Sequence, residues 1–126
     1  MKYLLIGLGG FLGANARALV AEWAAQRFGP AFPYGTFIAN ISGSFLLGVL
    51  MSLLTQRDLL QSPYRLFFAV GFLGAYTTFS TFTYESLALL QDGNWLLAFV
   101  KLFGSVVIGL LGVFLGIALG RGILGS

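Results

Sequence analysis

Four long apolar stretches, at residues 3–24, 34–56, 64–91 and 95–121, constrain this chain more than any other feature. A helix needs about 20 mostly apolar residues to cross a bilayer. The second stretch, "YGTFIANISGSFLLGVLMSLLTQ", carries no charge, and neither does "LFFAVGFLGAYTTFSTFTY" within the third. The first is interrupted by Arg17, with Glu22 near its end, and the fourth holds Lys101. Charged residues make up only 9% of the chain, against about a quarter in an ordinary soluble domain. That is too little charge to coat a globule in water. The connections "RFGPAFP", "RDLLQSPYR" and "QDGN" are short, and Pro30, Pro33 and Pro63 lie in or beside them, where proline starts or ends helices. The expected fold is an all-α membrane protein of four transmembrane helices, a single membrane domain over 1–126 with both termini on one side.

Several functions are excluded early. Cysteine and histidine are absent, which removes disulfides, thiolate metal sites and the commonest acid–base group. No nucleophile–base pair is visible, so an enzyme is not expected. The net charge of +3 is spread singly and makes no nucleic-acid patch. Lys2 and the run up to "ANA" imitate a signal peptide, but a first transmembrane helix accounts for them better. Lys2, Arg57, Arg65 and Arg121 fall on the terminal side and Arg27 on the other, which favours termini in the cytoplasm, with Lys101 adding to the far side if it snorkels there.

The chain has 18 glycines. In lipid, small residues let helix backbones approach closely. Gly9 and Gly13 are spaced for such a contact, as are Gly112, Gly116 and Gly120. The spacing does not separate packing within the chain from packing between subunits. Four helices enclose little interior, which favours a dimer.

Polar groups in hydrocarbon are costly and face a pathway or one another. Thr36, Asn40 and Ser44 recur every four residues on one helical face. Ser105 reads as a packing residue bonded to its own helix, and Arg17 as a residue that snorkels or holds an electropositive vestibule. "TTFSTFT", 77–83, packs five hydroxyls and two phenylalanines into seven residues. Gly71 and Gly74 precede it, so the third helix is expected to break near 74–78. A break inside a membrane is tolerated where its backbone is buried or lines a cavity. Freed carbonyls there can meet a cation, and restarted amides an anion. Phe79 and Phe82 share a face, with Glu85 one step further on. Ring edges turned into a pore favour an anion, and ring faces favour a cation. Ordinary packing accounts for such a pair equally well.

"GFLGAYTTFSTFTYES" resembles the signature of the Fluc/CrcB fluoride channels. "GTFIAN" resembles the second-helix motif of that family, and "GGFLGANAR" its glycine-rich first-helix run ending in arginine. The resemblance covers nearly the whole chain. It implies a fluoride-selective channel that exports cytoplasmic fluoride passively across the cell (plasma or inner) membrane, built as an antiparallel, dual-topology homodimer in lipid, or as a heterodimer with a paralogue. By position it implies pore roles for Phe79, Phe82, Asn40, Thr36 and Ser105, and a vestibule role for Arg17. It implies an acidic pore-side position at Glu85 and a structural sodium ion at the dimer centre, bound by the carbonyls of Gly74 and Thr77. The chain departs from the pattern at Ala75, where a second glycine is usual. It departs again at Lys101, where many members have a tyrosine; a lysine there would attract fluoride, trap it or snorkel outwards. At Gly109 a further pore-side serine is common.

Two other classes fit four short helices. A proton-coupled multidrug transporter would need a membrane-embedded carboxylate, for which Glu22 and Glu85 are the candidates. A non-conducting structural subunit would need nothing more than the packing.

Overall fold

A computed structural model describes residues 1–123. Two long helices come first, α1 (Lys2–Phe28) and α2 (Tyr34–Gln56). The third span starts as α3, a π-helical stretch Arg65–Leu73 closed by one α-turn, Gly74–Tyr76. It restarts as α4 (Ser80–Gln91), and α5 (Trp95–Ile123) completes the fold. The spans Lys2–Phe28, Tyr34–Gln56, Arg65–Gln91 and Trp95–Ile123 are each long and apolar enough to cross a membrane. The chain is a multi-pass membrane protein, and all its described secondary structure is helical. The helix limits lie within a few residues of those read from the apolar runs. α1 ends at Gly29, whose φ of 81° few other residues adopt.

The glycine spacings are used inside the chain. α1 lies against the backbone of α3: a side chain on Gly9 or Gly13 would strike the Phe67 or Phe72 carbonyl. α5 lies along α2, where Gly116 faces the Phe45 carbonyl and Gly120 faces Ser52. These two close pairs leave Ala39, Leu73 and Tyr76 as the buried core where α2 meets the end of α3. The Tyr76 hydroxyl lies 2.9 Å from Ser42 Oγ, which itself donates to the Ile38 carbonyl. A buried phenol is thereby satisfied just ahead of the break.

The interruption of the third span is short. Thr77 takes an extended conformation, with φ of −90° and ψ of 156°, and helix resumes at Ser80. Gly71 and Gly74 are both helical. The break thus falls at the hydroxyl-rich residues rather than at the glycines. Gly71 serves instead as a contact, its missing side chain leaving room for the Ile6 carbonyl 2.7 Å from where a Cβ would stand.

Candidate functional site

Asn40 organises the break. Its Oδ1 accepts from the Thr78 amide at 2.8 Å, and its Nδ2 donates to the Thr78 carbonyl at 3.0 Å. The side-chain amide thus pairs with one backbone residue as a neighbouring strand would. This pairing redirects the helix ladder. In a continuous helix the Thr78 amide would serve the Gly74 carbonyl, four residues back. The next redirection comes from Thr78 itself, whose Oγ1 accepts the Thr81 amide at 3.3 Å. That amide would otherwise serve the Thr77 carbonyl. The carbonyls of Gly74 and Thr77 are both released from their helical donors as a result.

The remaining hydroxyls divide between local roles. Thr77 Oγ1 donates back to the Leu73 carbonyl, and Thr83 Oγ1 to those of Phe79 and Ser80. The Ser80 and Thr81 hydroxyls each lie within hydrogen-bonding reach of the Thr78 hydroxyl around the restart. Of these hydroxyls only Thr78 takes a backbone amide at the restart, that of Thr81. Arg17 supports the same region from α1, donating from Nε to the Ala75 carbonyl at 3.1 Å. A cation beside the carbonyl end of a helical turn is electrostatically favourable.

Beside the break lies a cleft of about 390 Å³. Asn40, Ser44, Phe79, Phe82 and Ser105 border it, along with Gly74 and Thr77. The two rings stand 6.1 Å apart, centroid to centroid, at 43°. Their surroundings differ sharply: Phe79 is 75% exposed and Phe82 8%. Ser105 departs from the expectation that it bonds its own helix. Its Oγ is buried and has no partner among the described residues, an arrangement that calls for a physical reason. Of the second-helix polar face, Asn40 and Ser44 lie on the cleft, whereas Thr36 lies away from it and donates to Glu85 Oε2 at 3.0 Å.

Lys101 does not snorkel. It is 1% exposed, and its Nζ donates to the Phe82 carbonyl at 2.9 Å and to Ser86 Oγ at 3.4 Å. Glu85 Oε1 lies 3.4 Å away as an ion-pair partner. The ammonium also sits over the Phe82 ring, 4.1 Å from its centroid. Ser86 and Tyr76 are supporting residues around the break and Phe82 that motif reasoning missed. Ser86 stands four residues after Phe82, on the same helical face, and that spacing was available to find it.

The sequence profile of CrcB-like protein, Camphor Resistance (CrcB), matches residues 4–117. This chain belongs to the CrcB family. Among its relatives, a fluoride-specific ion channel FluC of Chloroflexus aurantiacus is 52% identical over 94% of both chains. Another of that name, from Acidobacterium capsulatum, is 46% identical over 96% of this chain and 97% of its own. One from Clostridium perfringens is 44% identical over 94% and 92%. Against these CrcB relatives the match runs through every span and both halves of the broken helix, so the cleft lies inside the shared region.

Proposed function

We propose that this chain is a fluoride-selective channel that lets cytoplasmic fluoride leave the cell passively. The name carried by relatives of up to 52% identity supports the substrate. The observation that carries the reading to particular atoms is the unpartnered Ser105 hydroxyl on the cleft shared by Phe79 and Phe82. Fluoride is small and strongly hydrated, and a dry path must replace its water with donors. Ser105 supplies one hydroxyl. Asn40 retains one N–H after serving Thr78. Ring edges add weakly positive hydrogens. None of these is a full positive charge that would trap the ion, and conduction needs binding that also releases. Thr36 and Glu85 continue the polar line beyond Phe82, and Arg17 draws anions towards the break.

The released carbonyls of Gly74 and Thr77 suit a hard cation such as sodium, since unwound backbone carbonyls are the donors such ions take in membrane proteins. One chain offers two of them, and a second copy would double the set. We therefore read the working unit as an antiparallel homodimer, with a heterodimer containing a paralogue as the alternative. The exposed Phe79 ring fits that assembly, because a neighbouring copy would cover it. When bound, the ion would tie the two breaks together.

The test is electrode-detected fluoride efflux from liposomes holding this chain alone, with chloride efflux as control. Rapid fluoride release without chloride release is expected. No release from folded, dimeric protein would overturn the homodimeric channel and favour a partner subunit.

A further inference from the structure

Lys101 presents an electrostatic puzzle. It places a full positive charge within the bilayer span and beside the candidate path, yet Lys101 does not border the cleft. Its ammonium is consumed elsewhere, on the Phe82 carbonyl, Ser86 and Glu85. Ser86 Oγ reinforces the arrangement by donating to the same Phe82 carbonyl at 2.7 Å. Phe82 is thus gripped twice by one group, at its backbone oxygen and across its ring face.

That grip has an electronic consequence. A phenyl ring is negative on its faces and positive at its edge, and a cation is attracted to a face. A cation fixed over one face draws π density towards itself. The other face becomes less negative and the edge hydrogens more positive. Phe82 borders the cleft, and whichever part of its ring meets the cleft becomes more hospitable to an anion. The charge itself stays behind the ring and paired with Glu85, so it does not act as a trap.

We propose that Lys101 is a positioning residue that holds and polarises Phe82 as an anion-facing ring, with Glu85 and Ser86 fixing the ammonium in place. The inference rests on the channel reading above for its effect on flux, but the ring contact can be read without any flux. The experiment places 4-fluorophenylalanine at position 82 of the full chain and records its ¹⁹F resonance in detergent. Lys101→Met, which keeps an unbranched side chain and loses the charge, moves the resonance; Lys101→Arg, which keeps the charge, stays near the parent. In liposomes of the unlabelled proteins, Lys101→Met slows fluoride efflux about tenfold and Lys101→Arg restores most of it. Where Lys101→Met does not fold, Ser86→Ala replaces it, and must move the resonance and slow efflux in the same sense to a smaller degree. An unmoved resonance overturns the proposal, and so does a moved resonance with unchanged efflux. A parent chain that passes no fluoride sinks the channel reading, while the resonance still decides whether Lys101 controls the ring.

Discussion

Asn40 commits both ends of its amide to Thr78, and this sets the cost of replacing it. Asn40→Leu leaves a half-buried amide and carbonyl at the break without their partner. An unsatisfied buried group costs about 1–3 kcal/mol, so unfolding in detergent is expected at a clearly lower temperature, together with loss of fluoride efflux. Asn40→Asp keeps the acceptor for the Thr78 amide but turns a second oxygen towards the Thr78 carbonyl, and it should lose efflux as well. Ser105 offers the contrast. Its hydroxyl bonds nothing among the described residues, so Ser105→Ala should leave the unfolding temperature essentially unchanged while efflux falls severalfold. A loss of stability comparable with that of Asn40→Leu would show that the hydroxyl serves the fold rather than the ion. Glu85 and Lys101 form the third residue-scale case. Lys101 is buried and Glu85 is 27% exposed; removing one partner of a fully buried pair costs about 3–5 kcal/mol, and solvent at Glu85 lowers that here, whereas replacing both by apolar groups can be nearly neutral. Glu85→Gln should therefore destabilise the protein more than Glu85→Leu combined with Lys101→Met, as read from thermal unfolding of the two variants. The reverse order would mean that Lys101 is not held by that carboxylate.

At the scale of elements, close backbone approach does the packing that hydrophobic burial does in water. Two apolar helices gain nothing from leaving lipid, so proximity must come from small residues. Gly116 meets the Phe45 carbonyl, a backbone atom that cannot step aside, whereas Gly104 faces open space. Gly116→Val should therefore part α2 from α5 and cost about 1–3 kcal/mol. Gly104→Ala should be neutral, or stabilising by about 0.5–1 kcal/mol through helix propensity. Thermal unfolding of the two variants side by side checks the contrast. The spans themselves were legible in the sequence because apolar length alone determines them. The glycine contacts were legible as contacts but not as to partner, since spacing carries no address. The break falls at the C-terminal edge of the expected 74–78 range, at the hydroxyls rather than the glycines. Propensity points to glycine, yet Gly71 and Gly74 stay helical, and the ladder is interrupted where a distant side chain, Asn40, captures the Thr78 amide. Lys101 was opaque for the same reason. Only the fold brings α4 and α5 together and supplies Glu85, Ser86 and the Phe82 carbonyl to a lysine many residues away.

For the whole molecule, the decisive question is what completes the break. On the proposed reading, the two carbonyls released on one chain would form half a cation site, and Gly74 is exposed. A hard cation takes several oxygen ligands. If a second copy supplies the other pair, ion binding and association become one event, and each strengthens the other. A ligand that binds only the assembled state stabilises it by about 2.7 kcal/mol at a hundredfold excess over its Kd. Replacing sodium with a bulky organic cation should then lower the unfolding temperature, shift the protein towards monomer in detergent, and reduce fluoride efflux. Returning sodium should restore all three over the same concentration range. Asn40→Leu links this to the residue scale: with no side chain holding the Thr78 backbone, the Gly74 and Thr77 carbonyls are no longer fixed as cation ligands, and the sodium dependence should disappear along with the efflux. Sodium dependence that persists in folded Asn40→Leu protein would place the cation elsewhere, and unfolding that is indifferent to sodium in the parent chain would remove it from the break altogether.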